Sequence, residues 1–206
     1  MGLVVFDFDN TLIKGDCTSA ILQKAYVDAQ LVAKIYLMGF RIARKLRFIS
    51  VNRYKTLAFK TSFKTEEDYK NYFNLSVTWN TQAVACLRNA LENDDSQVVI
   101  SSASEESLVK CLLSATEFDI SQVVVHASNV RIDEDYFYWN YGHRKVKHIR
   151  ETAGMNLPID ITYTDHVIAD KALIHESDRV VLVSPSIVKG LVNSLLALLY
   201  QKFSLL

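Results

Sequence analysis

The sequence predicts an α/β fold: a parallel sheet with helices on both faces and a small helical insertion after the first strand. Three observations carry this. Short apolar runs at Leu3–Phe6, Gln97–Ser101, Ile159–Thr164 and Arg179–Val183 read as strands. Several of them deliver a carboxylate or hydroxyl at their C-terminal end and lead into a helical pattern. Residues from about 18 to 84 show no convincing strand alternation. Apolar residues there recur at three- and four-residue steps (Ile21, Ala25, Leu31, Ile35, Met38, Ile42). The expected division is a core of residues 1–14 and 85–206, with a helical insertion over 15–84.

Composition fits one such domain with a modest insertion. The chain has 206 residues, half of them hydrophobic, and only 2 prolines and 6 glycines, which argues against long disordered linkers. Basic and acidic residues number 23 each, so the formal net charge of 0 gives no global pull toward nucleic acid. Cys17, Cys86 and Cys111 are scattered, without metal or CxxC spacing, and read as reduced thiols of a cytoplasmic protein. The N-terminal apolar run breaks at Asp7, too early for a signal peptide. No run approaches the ~18 apolar residues of a spanning helix.

The chemistry concentrates at the first strand and its turn, Leu3-Val4-Val5-Phe6-Asp7-Phe8-Asp9-Asn10-Thr11-Leu12. Two carboxylates this close repel unless a cation or a division of roles intervenes. Mg²⁺ suits such a place, since it takes a few carboxylate oxygens plus water and phosphate. A buried strand with two turn-capping aspartates is the plainer alternative. The run Asp7-Phe8-Asp9-Asn10-Thr11-Leu12 resembles the first motif of the haloacid dehalogenase (HAD) superfamily of phosphatases. That resemblance implies a Rossmann-like core, Asp7 as the nucleophile that forms an aspartyl-phosphate, and Asp9 as general acid/base. Thr11 would support them from behind.

Three further motifs follow in order. The strand Gln97–Ser101 runs into Ser102-Ala103-Ser104-Glu105-Glu106, and Ser104 is expected to cap the next helix. A hydroxyl before a helix N-terminus is a good phosphate seat. The resemblance puts Ser102 there, with Ser101 as runner-up. Gly142-His143-Arg144-Lys145 then resembles the family's Gly-x-x-Lys, which implies that Lys145 binds phosphoryl oxygens. Arg144 and Lys147 are alternatives, and His143 and His148 read as surface or packing residues. Last, Ile159–Asp165 with Asp170 resembles the fourth motif. It implies Asp165 as a Mg²⁺ ligand together with Asp7 and the backbone carbonyl of Asp9, and Asp170 behind them, orienting Lys145 or a metal-bound water. Thr164 and His166 stand where the family usually has Gly and Ser.

In the insertion, Asp16 is a natural N-cap for a helix from about Thr18, and also a candidate substrate contact. Arg53 is a second candidate contact. From Ala29 to Thr65 there is no acidic residue, but nine basic ones: Lys34, Arg41, Arg44, Lys45, Arg47, Arg53, Lys55, Lys60 and Lys64. Three readings stay open: a solvated face, an anion-attracting surface over the site, or a basic amphipathic helix on an anionic membrane. The apolar tail Ile187–Leu206 reads as a helix against the core, an oligomer contact or a membrane contact.

Taken together, the resemblance implies a Mg²⁺-dependent phosphomonoester hydrolase of the phosphoserine-phosphatase-like subgroup, with a type 1 cap. Its partner would be a small phosphorylated metabolite such as phosphoserine, with no nucleic acid. Ser102-Ala103-Ser104 departs from the Ser-Gly-Gly of phosphoserine phosphatases proper. A lipid phosphate, a phosphotransferase and a silent binding protein on the same fold remain alternatives.

Overall fold

The computed structural model describes residues 2–93, 95–117, 119–152 and 157–183, and the backbone of 203–205. The chain opens with β1 (Gly2–Phe6) and a short β2 (Ile13–Lys14). Four helices follow: α1 (Cys17–Asp28), α2 (Leu31–Lys45), α3 (Val51–Ser62) and α4 (Glu66–Lys70). A two-residue β3 (Thr78–Trp79) and α5 (Thr81–Leu91) lead into β4 (Ser96–Glu105) and α6 (Glu106–Ser114). The remainder is β5 (Val123–Arg131), β6 (Tyr136–Tyr138), α7 (His143–Glu151), β7 (Ile159–Thr164), α8 (Lys171–Glu176), β8 (Ser177–Leu182) and β9 (Phe203–Leu205).

The main sheet has the order β6-β5-β4-β1-β7-β8-β9, parallel except for β6. β1 lies at its centre, with Leu3 beside Gln97 on one side and Ile159 on the other. Every residue of β1 is buried, and the period of two splits them between the faces. Val4 and Phe6 pack with Ile21 of α1, Leu87 of α5 and Leu108 of α6. Leu3 and Val5 pack with Ile149 of α7 and Leu173 of α8. Each such fully buried aliphatic or aromatic side chain contributes about 1.5–3 kcal/mol relative to exposure. The parallel sheet with helices on both faces agrees with the sequence.

Four local details differ from expectation. Residues 18–84 contain strand after all: β3 pairs antiparallel with β2, so the helical segment begins and ends on one small ribbon. β4 runs to Glu105, with a register irregularity between Ser101 and Glu105, because the polar end of the strand still pairs with β5. The N-cap of α6 is Glu105, not Ser104; its carboxylate accepts from the N–H groups of Ser107 and Leu108 at 3.0 Å each. Ser104 is instead turned inward and buried. Residues 203–205 form a strand on β8 rather than the end of a helix. The rest of the tail from Ile187 lies outside the described residues.

An aromatic cluster fastens the helical segment to the core. Phe59 of α3 sits 5.2 Å from Trp139, centroid to centroid, and also packs on Phe63 and on Tyr69 of α4. The Trp139 indole N–H donates to Thr56 Oγ1 at 2.8 Å. Asp16 caps α1 as expected, accepting from Ser19 N–H at 2.7 Å.

Candidate active site

The carboxyl ends of β1, β4 and β7 converge, where ligands sit in open α/β sheets. After Asp7 the chain turns tightly, with the N–H groups of Thr11, Leu12 and Ile13 all directed at the Phe8 carbonyl. Asn10 takes the left-handed conformation (φ 58°) that this turn needs, which Asn tolerates better than most residues. The turn carries Asp9 away from strand geometry, so the two carboxylates face different partners.

Asp7 is buried. Its Oδ1 accepts from Lys145 Nζ at 2.6 Å, and Thr11 Oγ1 donates to Oδ2 at 3.5 Å. Lys145 comes from the first turn of α7, behind Gly142 at φ 64°, a backbone value that favours glycine. The same ammonium pairs with Asp170 Oδ1 at 2.7 Å, and Asp170 Oδ2 accepts from Thr164 Oγ1 at 2.6 Å. Burial pushes the Asp7 carboxyl up to about 8; Lys145 opposes this, while the carboxylates of Asp170 and Asp165 add to it. Burial alone would lower the Lys145 ammonium, but Asp170 and Asp7 outweigh it and hold Lys145 above the usual lysine range. Lys145 therefore stays charged, and the acid cluster around it is what leaves Asp7 short of countercharge.

Asp9 is half-buried and held by hydroxyls rather than by a cation. Ser104 Oγ donates to Oδ2 at 2.6 Å, Ser102 Oγ to Oδ2 at 3.4 Å, and Cys17 N–H to Oδ1 at 2.8 Å. Burial and the nearby Asp16 raise its pKa, against the lowering by Ser104 and Cys17. Asn140 braces this strand end: its Nδ2 donates to Ser102 O at 3.1 Å and to His126 O at 2.8 Å. Ser101 Oγ is a weaker acceptor from the same amide at 3.4 Å.

Direct contacts thus form two groups at the same end of the sheet, Asp7 with Thr11, Lys145 and Asp170, and Asp9 with Ser102; Asp165 acts on the first through its field on Asp7. Arg144 stacks over Tyr138, and Lys147 pairs with Glu151 at the surface, so neither takes the place of Lys145. Arg53 is exposed on α3, and none of these contacts involves it.

Sequence reasoning missed two participants. Ser104 makes the shortest contact to Asp9. Lys55 of α3 donates to the Ala103 carbonyl at 2.9 Å, lies over the Trp139 ring, and has its pKa lowered by burial against the fields of Asp16 and Asp9. The two-residue interval from Arg53 to Lys55 turns a side chain from solvent to site, and nothing in the acid-free run distinguishes them. A cavity of about 520 Å³ opens beside Asp16 between α1, α2 and α3, lined among others by Leu22, Tyr26, Leu37, Met38, Arg41 and Tyr54.

The donor set fits a hard divalent cation. Asp7, Asp165 and a backbone oxygen of Asp9 are oxygen donors, and the acids around Asp7 outnumber the single Lys145. Among the described residues no cluster of three or more His, Cys, Asp or Glu side chains is arranged as a metal site. The predicted set needs only two carboxylates and a main-chain carbonyl.

The haloacid dehalogenase-like hydrolase family matches residues 4–175. The chain belongs to this family. No curated protein sequence matches it closely enough to count as a relative. Solved structures share the fold of the family member described here. A protein of unknown function from Bordetella pertussis Tohama I superposes with a TM-score of 0.72 at 16% identity, covering 99% of this chain and 97% of that one. A phosphoserine phosphohydrolase-like protein from Francisella tularensis gives 0.62 at 16% identity, covering 95% and 93%. The phospho-aspartyl intermediate analogue of phosphoserine phosphatase gives 0.64 at 13% identity, covering 99% and 91%. At these identities the likeness is one of fold.

Proposed function

We propose that this HAD-family hydrolase is a Mg²⁺-dependent phosphomonoesterase that works through an aspartyl-phosphate on Asp7. The observation that carries the reading is the unequal pair of carboxylates. Burial raises both carboxyls, but Asp7 lies against the Lys145 ammonium at 2.6 Å, which favours its carboxylate, whereas Asp9 is held by the Ser104 hydroxyl at 2.6 Å and the Cys17 N–H rather than by a cation. Two acids with different environments divide the work of nucleophile and proton donor.

In the first step an Asp7 oxygen attacks phosphorus, the bond from phosphorus to the ester oxygen breaks, and Asp9 gives that oxygen its proton. In the second, Asp9 takes a proton from water, the hydroxide oxygen attacks phosphorus, and the bond to Asp7 breaks to release phosphate. Lys145 and Ser102 hold the phosphoryl oxygens, with Asp170 keeping Lys145 aimed. A Mg²⁺ ion on Asp7, Asp165 and the Asp9 carbonyl would neutralise the phosphoryl charge. Residues 15–84 serve as the cap over a core of 1–14 and 85–206. In this reading Asp16, Lys55 and the cavity beneath α2 receive the leaving alcohol, and the substrate is a small phosphorylated metabolite such as phosphoserine.

The test is release of phosphate from an aryl phosphate, and from a panel that includes phosphoserine, with and without Mg²⁺. Wild type is expected to turn over only with the ion, and Asp7→Asn to lose roughly 10⁴-fold or more. Turnover that survives Asp7→Asn, with contamination excluded, rejects the mechanism.

A further inference from the structure

Among the described α-helices, α2 is the one with no buried residue. It packs on α3 and touches α1 through a half-buried side that includes Ala33, Leu37, Phe40 and Ala43. A solvated helix on such a mount would carry polar residues outward. This one does the opposite. Leu31, Ile35, Met38, Ile42 and Leu46 follow one another at steps of four, three, four and four residues, which places them on one stripe. All are exposed, Leu31 by 74% and Ile42 by 53%. Phe48, in the turn that follows, is 80% exposed beside Arg47, which adopts a left-handed φ of 63°.

The charge around this stripe has one sign. Lys34, Arg41 and Lys45 flank it on the helix, Arg44 lies farther round, and Arg47 extends the cationic edge past the C-terminus. The ion pairs among the described residues include none of these five. The chain as a whole balances 23 basic against 23 acidic residues, yet residues 29–65 hold nine basic and no acidic side chain. Five of those nine lie on α2 and its following turn, the element that also exposes the apolar stripe.

We infer that α2 and its following turn seat the protein on an anionic membrane surface. The apolar stripe enters the boundary between headgroups and acyl chains, and the cationic rim meets the lipid phosphates, as in interfacial amphipathic helices. A second copy of this chain is the poorer occupant. It would bring two acid-free, cationic surfaces together with no carboxylate to separate them. The seating does not depend on catalysis. Because Leu37 and Met38 of the same helix line the cavity beside Asp16, it also puts that cavity next to the lipid surface.

The experiment is vesicle flotation of the full chain, read by protein recovered with lipid. Vesicles are phosphatidylcholine alone or mixed with phosphatidylglycerol at about 7:3, since the anionic lipid supplies the surface potential. Salt is about 0.1 M or about 1 M, which shortens the screening length from about 10 Å to about 3 Å. Binding is expected on the anionic vesicles at low salt, and at least about tenfold weaker on neutral vesicles or at high salt. The double variants Ile35→Ser/Ile42→Ser and Lys45→Gln/Arg47→Gln, checked for an unchanged melting temperature, should each lose it. Absence from both kinds of vesicle overturns the inference, as does undiminished binding of both variants. A concentration-dependent dimer that Ile35→Ser/Ile42→Ser dissolves, without lipid binding, assigns the face to self-association and overturns it too. None of these readouts depends on turnover, so the phosphatase reading stands or falls separately.

Discussion

Asp9 is where a single side chain's surroundings decide most about the reaction. Its carboxyl is kept prone to protonation by burial and by Asp16, and it is aimed by Ser104 and Cys17. A proton donor matters most when the leaving group is a poor one. Asp9→Asn should therefore cost an alkyl phosphate about 10²–10⁴-fold in kcat, in the usual range for general acid catalysis, and cost an activated aryl phosphate less at the first step. Comparing the two substrates under single-turnover conditions checks this; equal losses would remove Asp9 from the acid role. The acids at this scale were legible: Asp7, Asp9, Asp165 and Asp170 stand in a motif order that the sequence displays. Ser104 and Lys55 were not. Their importance comes from which way a strand end and a helix turn face, and neither residue type signals that on its own.

At the scale of elements, the tie between β5 and α7 positions Lys145. The rings of His126 of β5 and His148 of α7 meet with centroids 4.5 Å apart and planes tilted by 56°, and the buried atoms His126 Nε2 and His148 Nδ1 make no hydrogen bond with the described residues. Burial pushes the His126 imidazole down to about 4, His148 adds to the shift, and Glu106 opposes it. Burial lowers His148 as well. At His126 the folded state then binds fewer protons than the unfolded chain between about pH 4 and the ordinary histidine value of 6.5. The stability associated with a neutral His126 is thus full above pH 6.5 and is lost as pH falls toward 4. The raised carboxyls of Asp7 and Asp9 slope the other way, so the signature is a difference: in denaturant melts at pH 7, 6, 5 and 4, wild type should lose stability relative to His126→Phe as the pH falls. An unchanged slope in that variant would detach the acid sensitivity from this pair. The sequence treated His148 as a surface or packing residue and gave His126 no role, because residues 22 positions apart meet only once helix and sheet are docked. The same applies to Glu105, which caps α6 in place of the expected Ser104 since the strand continues far enough to turn Ser104 inward.

For the whole molecule, the sheet concentrates negative charge at one end. Asp7, Asp165 and Asp170 arrive from β1, from the end of β7 and from the start of α8, and the buried cation among them is Lys145. A protein that folds around such an imbalance gains from a divalent cation that binds only the folded state. At Mg²⁺ about 100-fold above its dissociation constant the gain is about 2.7 kcal/mol. For a domain of this size that raises the melting temperature by roughly 5–10 °C. Calorimetry with Mg²⁺ and with chelator checks it, and Asp165→Asn should abolish most of the rise. A melting temperature indifferent to Mg²⁺ in wild type would count against the proposed ligand set.

The sequence by itself determined the α/β class, the order of the chemical motifs and the place of the helical insertion. These depend on local pattern: apolar strands ending in acids or hydroxyls, and helical spacing between them. Only the tertiary structure decided which hydroxyl holds Asp9, which lysine of the insertion faces the site, and which residues of α2 remain outside. Periodicity tells that a helix has an apolar side, but not whether that side meets a neighbour. For α2 the sequence left three readings open, and the stripe from Leu31 to Leu46 lies in solvent because α3 and α1 take the other side.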